Sequence, residues 1–259
     1  PILNNSTFLH YLCHINLQKA MKIALIGYGK MGHAIEKFAR ERGHEIVSII
    51  DIDNQCDFDS AQFKSADVAI EFTTPATAYD NCLRALQAGV KVVSGSTGWT
   101  DRIPQLKNEM AGTPSATFFY SSNYSLGVNI FFAVNKYLAR LMNGFAQYDV
   151  EMKEIHHIHK LDHPSGTAIT LANGIIENLN RKKAWTENEE HKADEILIEH
   201  ERIGEVPGTH IIRYKSPVDE ISITHEAFSR DGFALGAVVA AEWLCDKTGF
   251  LGMDDMLKF

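Results

Sequence analysis

Cysteine is scarce in this chain of 259 residues, and the four that occur, Cys13, Cys56, Cys82 and Cys245, are far apart and form no CxxC pair. That spacing excludes a zinc knuckle and a disulfide framework, and is expected of reduced thiols in a cytoplasmic protein. Long hydrophobic runs are missing too: nothing approaches the roughly 18 consecutive apolar residues that a membrane span requires. Basic residues are outnumbered, 25 Lys and Arg against 33 Asp and Glu, a formal net charge of −8. Neither nucleic acid nor an anionic membrane is therefore expected as a partner. An anionic small molecule stays open, because a local basic pocket can coexist with an acidic surface. The first twenty residues lack the basic start and long apolar stretch of a signal peptide. They are expected to form an extension ahead of a fold that opens at Met21. Internal repeats and low-complexity tracts are also lacking.

What is present is an alternation. MKIALIG is a short apolar run ending in glycine, as in a buried parallel strand. Ala34, Ile35, Phe38 and Ala39 follow at helical spacing with Gly43 as a stop, and HEIVSIID closes a βαβ unit of about thirty residues. DVAIEFT, VKVVSGSTG and SATFFYSSN read as further strands, and PATAYDNCLRALQAG as a helix with proline near its start and glycine at its end. Strands alternating with helices imply a parallel, doubly wound sheet with right-handed crossovers.

The glycine loop Gly27-Tyr28-Gly29-Lys30-Met31-Gly32 fits G-x-G-x-x-G between a strand and a helix. The first glycine permits a tight turn, the second lets backbone approach a pyrophosphate, and the third lets the helix close on the strand. Asp51 lies nineteen residues beyond Gly32, where an acid would hold a ribose diol and repel a 2′-phosphate. NADH is accordingly expected ahead of NADPH, although Asp53 is a second candidate acid. Phe72-Thr73-Thr74-Pro75 and Gly95-Ser96-Thr97-Gly98 fall at strand C-termini, where open α/β sheets bind ligands and small hydroxylated residues would admit a flat nicotinamide. Ordinary turn chemistry is the competing and less favoured explanation of each stretch taken alone.

The texture changes after about residue 123. YSLGVNIFFAVNKYLARLM is a long apolar helix and YDVEMKEIHHIHK reads as a strand. A polar helical or loop region follows, and RKKAWTENEEHKADEILIEH is expected to be a mobile or solvated segment without a motif. THIIRYKS and DEISITHEAF then alternate like antiparallel strands, and FALGAVVAAEWLCDKTG is a closing helix. The expected division is 21–123 with 230–259 as a dinucleotide-binding domain, and 124–229 as a domain for substrate binding and oligomerisation.

Four histidines crowd into EIHHIHKLDHPSGTA, residues 154–168. On a strand, His156 and His157 would point to opposite faces while His157 and His159 share one, so a single zinc site using all four is awkward and no metal is expected. Ser165, Gly166 and Thr167 precede a helical apolar pattern and would stand at a helix N-terminus, offering hydroxyls and amides to an anion. Plain N-capping uses the same groups. With Lys160 and the histidines adjacent, a carboxylate-bearing substrate is the favoured ligand.

Glu154 through Ala168, written E-x-H-H-x-x-K-x-D-x-P-S-G-T-A, resembles the signature of the 4-hydroxy-tetrahydrodipicolinate reductase (dihydrodipicolinate reductase) family, bacterial and plant enzymes of the diaminopimelate–lysine pathway. GYGKMG, FTTP, GSTG, SSNYSLGVN and VPGTH…SRDGFALGAV extend the resemblance from Met21 almost to the C-terminus. It implies a Rossmann-type doubly wound parallel sheet plus a smaller α+β domain with a mixed or antiparallel sheet, assembled as a homotetramer. It also implies that NAD(P)H reduces 4-hydroxy-tetrahydrodipicolinate, a small dicarboxylate, to tetrahydrodipicolinate, with hydride going to ring C4 and the 4-hydroxyl leaving as water. By the same resemblance His156 is the proton donor or acceptor and Lys160 the cation beside the reacting ring. His157, Ser165, Gly166 and Thr167 form the carboxylate cradle, with Arg230 assisting. Gly27, Tyr28, Gly29, Lys30, Met31, Gly32, Asp51, Phe72, Thr73, Gly95, Ser96, Thr97, Ser121, Ser122, Asn123 and Tyr124 form the dinucleotide site. Some family members carry arginine at the positions of Lys30 and Thr74, which bears on the choice between NADH and NADPH. His163 receives no role. Homoserine, aspartate-semialdehyde or sugar oxidoreductases would not require this histidine signature, and a non-catalytic dinucleotide sensor would not keep His156, Lys160 and Thr167.

Overall fold

The computed structural model describes residues 20–258. Cys13 and all but the last residue of the expected N-terminal extension lie outside the described residues. The chain forms two compact units, one running through Tyr124 and resuming at Ala234–Lys258, the other Ser125–Phe233.

Unit 1 is built on a six-stranded parallel sheet. Its strands are β1 Lys22–Ile26, β2 Glu45–Ile50, β3 Val68–Glu71, β4 Lys91–Ser94, β5 Thr117–Tyr120 and β11 Gly249–Leu251, in spatial order β2-β1-β3-β4-β5-β11. Alternating side chains go to two cores, as a doubly wound sheet demands. Ile23 and Leu25 of β1 pack with Ile35 and Ala39 of α1 (Lys30–Glu41) and with Ala237, Val238 and Ala241 of α7 (Asp231–Leu244). Ala24 and Ile26 face Cys82 and Ala85 of α3 (Ala78–Gln87), with Trp99 and Phe118. The short helix α2 Ala61–Lys64 precedes β3, and α8 Met253–Leu257 ends the described chain. Three helices went unforeseen, the short α2 and α8 and the longer α4 Ile103–Ala111, which spans the crossover between β4 and β5 and whose PQLKNEM run buries Leu106 alone, too thin an apolar stripe to announce a helix. The order of strands reverses beside β1, so the carboxyl ends of β1 and β3 flank the switch point of the sheet.

Unit 2 has a five-stranded mixed sheet in the order β10-β9-β6-β8-β7. The strands are β6 Asp149–His156, β7 Ala184–Thr186, β8 Glu195–Arg202, β9 Gly208–Lys215 and β10 Glu220–Ala227. β9 runs antiparallel to both β6 and β10, while β8 is parallel to β6 and β7. Two helices, α5 Leu126–Met142 and α6 Gly166–Ile176, cover one face, where Phe131, Leu171 and Ile175 meet Val150, Met152, Ile198, Ile212 and Tyr214. The region expected to be a polar helix or a solvated segment instead holds β7 and β8. Ile196 and Ile198 alternate into the core there, a two-residue stripe that the surrounding charges mask in the sequence.

Candidate functional site

The glycine loop stands at the end of β1. Gly27 has φ +90°, and a Cβ there would lie 2.2 Å from the carbonyl oxygen of Phe72 at the end of β3. A Cβ on Gly32 would lie 2.4 Å from the Gly27 oxygen, so this glycine seats α1 against the strand. Gly29 is different, because nothing lies within 4 Å of the position its Cβ would take. Protein packing explains Gly27 and Gly32 and leaves Gly29 free for close approach by a ligand, which fits the dinucleotide reading of the loop. Lys30 is exposed at the first turn of α1, Met31 packs on the core beside it, and the Tyr28 hydroxyl bonds Glu36. Asp51 is exposed just after β2, its carboxylate accepting the Ile52 amide at 2.9 Å.

A buried acid that the sequence reading passed over organises the next two turns. Glu71 ends β3 with no exposed surface. Its carboxylate accepts from the Thr73 amide at 2.8 Å, the Thr73 hydroxyl at 2.5 Å, and the hydroxyls of Ser94 and Ser96 at 2.6 Å. The Thr73 amide also donates to the Ser96 hydroxyl at 2.8 Å. FTTP and GSTG are thus one hydrogen-bonded assembly at adjacent strand ends, with Thr97 exposed on it and Gly95 fixed against the Phe72 ring, 2.1 Å from where its Cβ would lie. Of the SSNY stretch, Ser122 is exposed and Ser121 bonds the backbone of Asn123. The Tyr124 ring is a core element: its hydroxyl donates to the Ser94 carbonyl at 2.7 Å, and burial raises its pKa well above the ordinary phenol value. Tyr124 can serve a ligand only through its backbone.

In unit 2 the period of two along β6 turns Val150, Met152, Glu154 and His156 to the core face. The strand stops at His156, so the expected sharing of a strand face by His157 and His159 does not arise. The chain turns instead, with the Ile158 amide donating to Gly204 and the Lys160 amide to His157. Sheet register places Arg202 opposite His156 and His210 opposite Glu154. The fully buried Glu154 carboxylate accepts from Arg202 at 3.2 Å and from the Ser165 amide at 3.1 and 3.2 Å. Nδ1 of His156 faces it at 3.6 Å and Nε2 of His210 at 3.8 Å. Burial opposes ionisation of Glu154, yet the Ser165 hydrogen bonds together with attraction to His156 and His210 hold the carboxyl below its usual range. Burial pushes the imidazoles the other way: His156 is lowered, and His210 falls from 6.5 to about 3. Nδ1 of His156 has no hydrogen-bond partner among the described residues. The arrangement is a neutral, buried imidazole beside a carboxylate, able to take up or hand on a proton.

Ser165 is the N-cap of α6, its hydroxyl accepting from the Ala168 amide at 3.1 Å and lying 3.2 Å from His210 Nε2. Its amide serves Glu154, while the capping hydroxyl keeps its own O–H to donate, to His210 or to a ligand. The first-turn amides of Gly166 and Thr167 are those a helix N-terminus leaves to an anion, and Gly166 is exposed with open space around it. Lys160 donates to both oxygens of Asp162 at 2.7 Å, and Arg202 grips the carbonyls of Lys160 and Asp162 at 3.3 and 2.7 Å. Arg230 lies 3.0 Å from His157 Nε2. His156, His157, Lys160, Ser165 and Arg230 therefore belong to one connected neighbourhood, whose unforeseen members are Glu154 as a ligand of Ser165, Arg202 and His210. Glu154, His156 and His210 also stand close enough to hold a metal ion. Arg202 already neutralises that carboxylate, which disfavours a second cation there.

Family models described as dihydrodipicolinate reductase, N-terminus, and dihydrodipicolinate reductase, C-terminus, match residues 21–124 and 127–257. The 4-hydroxy-tetrahydrodipicolinate reductase of Christiangramia forsetii is 48% identical over 238 residues, covering 92% of this chain and 98% of that one. The protein of the same name from Archaeoglobus fulgidus is 36% identical over 263 residues, covering 92% of this chain and all of that one. Among solved structures, the dipicolinate-bound dihydrodipicolinate reductase of Paenisporosarcina sp. TG-14 superposes with a TM-score of 0.74 over 92% of this chain and all of that chain, at 21% identity. That likeness speaks to the fold.

Proposed function

The chain belongs to the dihydrodipicolinate reductase family, and from that premise we propose that it reduces 4-hydroxy-tetrahydrodipicolinate to tetrahydrodipicolinate in diaminopimelate and lysine biosynthesis, as a cytoplasmic homotetramer. The observation that carries the reading is the buried cluster of Glu154, His156 and His210, with the half-buried Arg202 against it, abutting the N-terminus of α6. It joins an anion-binding helix end to a proton-transferring imidazole within a few residues.

The glycine loop, the Glu71-linked turns and Asp51 are the residues that would hold a nicotinamide dinucleotide. Bound there, the cofactor supplies the hydride for ring C4, while the 4-hydroxyl leaves as water. The amides of Gly166 and Thr167 and the guanidinium of Arg230 hold the substrate carboxylates, and Lys160 adds a cation that it can release from Asp162. His156, buried and neutral in the free protein, is the group suited to exchange a proton with the ring, because an incoming dianion favours its protonated form. Glu154 holds Ser165, and through it the start of α6, in place. Asp51, with the exposed Ile52 beside it and no ion pair to it among the described residues, favours NADH over NADPH.

The test is nicotinamide absorbance with substrate generated in situ from pyruvate and aspartate semialdehyde by a separate synthase, with NADH and NADPH in parallel. Oxidation is expected to depend on the synthase, to run faster with NADH, and to fall roughly 10²- to 10⁴-fold in His156→Gln and Lys160→Ala. Protein that binds NADH but oxidises neither cofactor under these conditions would refute the assignment.

A further inference from the structure

His163 is the histidine of the 154–168 stretch that the proposed chemistry leaves idle. Its Nδ1 lies 2.9 Å from Oε1 of Glu187, and Nδ1 of His200 lies 3.1 Å from the same oxygen. The two imidazoles stack, with centroids 4.4 Å apart and planes inclined by 14°. The three side chains come from separate segments: the loop ahead of α6, the residue following β7, and β8. All three reach solvent, with His163 51%, Glu187 28% and His200 34% exposed.

We propose that His163, Glu187 and His200 form a surface site for a divalent cation of the zinc class. Imidazole nitrogen and carboxylate oxygen are the donors such ions take when thiolate is absent. Ligand atoms about 2.0–2.2 Å from a tetrahedral zinc stand roughly 3.3–3.6 Å from one another. The observed separations of 2.9 and 3.1 Å need only a few tenths of an ångström of outward movement to admit the ion. One carboxylate oxygen facing two imidazole nitrogens is a convergent donor set that leaves a fourth position for water. The contrast with the buried cluster supports the choice. Glu154 is paired with Arg202, whereas no lysine or arginine among the described residues is paired with Glu187. An ion here would tie the loop two residues ahead of Ser165 to β7 and β8, restraining the entry into α6.

The experiment uses the full chain, freed of metal with chelator and dialysed, then titrated with zinc chloride by calorimetry. Cobalt(II) in parallel reports a tetrahedral site through its visible ligand-field absorption. A single zinc per chain is expected, weakened about tenfold or more in His163→Gln or His200→Gln, lost in the double variant, and retained in His156→Gln, which breaks the buried cluster instead. Metal-free thermal unfolding of each variant separates loss of the site from loss of the fold. The proposal is overturned if zinc fails to bind below about 1 mM, or if binding persists undiminished in the double variant. Neither readout depends on catalytic activity, so a failed reductase assay leaves this result intact.

Discussion

His210 is buried beside Ser165, and burial lowers its pKa from 6.5 to about 3. Between those two values the unfolded chain binds a proton at this position and the folded chain does not. Stability therefore rises with pH across the window and is lost as the pH falls below about 6.5. For this histidine alone, going from pH 7 to pH 5 costs about 2 kcal/mol. Urea unfolding at the two pH values should show that loss in the wild type and a clearly smaller one in His210→Gln; equal slopes would mean that the imidazole is not held neutral. Glu154 acts in the same direction at lower pH, because a carboxyl held below its usual range loses its stabilising contribution on protonation. The residue scale also explains why Ser165, a predicted ligand, serves as a helix cap as well: a helix N-terminus must satisfy its own first amides.

At the scale of elements, the strand-to-helix turn of unit 1 separates two uses of glycine. Gly27→Ala would drive a methyl into the Phe72 carbonyl at a positive φ, and is expected to destabilise unit 1 by at least about 2 kcal/mol. Gly29→Ala meets open space. It should leave the melting temperature unchanged while weakening NADH binding roughly tenfold, about 1.4 kcal/mol, by blocking approach of the pyrophosphate. Thermal unfolding together with NADH fluorescence titration checks both. A Gly29→Ala protein that binds NADH normally would remove the loop from the cofactor site. The same logic places Glu71 among the working parts, since one carboxylate fastens two turns that the sequence presents as unrelated.

For the whole molecule, the second sheet sets the expectation. One face is sealed by α5 and α6, while the other carries charged pairs, Lys153 with Glu201 and Arg213 and Lys215 with Glu151. Its outer strand β10 leaves an edge on which Ile221 is 40% exposed. Natural sheets protect such edges, and pairing between copies is one way to do it. Light scattering on the eluting protein should give four chain masses, and Ile221→Lys should shift the distribution to smaller species. A single chain mass at micromolar concentration would rule out the tetramer. Among the described residues, no helix is long and apolar enough to cross a membrane.

The parallel sheet, the glycine loop, the long helices and the position of the histidine signature are legible in the order of residues alone. All of these rest on local periodicity or contiguous motifs, which tertiary contacts had only to accept. Strand β8 escaped notice because its buried stripe is just Ile196 and Ile198 among charges, and α4 because a single leucine anchors it. Only the tertiary structure brought Arg202 and His210 to Glu154 and His156, since sheet register joins residues some fifty positions apart and nothing in either segment announces the partner. It alone gathered His163, Glu187 and His200, and it alone decided that the Ser165 hydroxyl caps a helix and the Tyr124 phenol fills a core. Burial and pairing are properties of neighbours in space, and a linear sequence leaves those neighbours unnamed.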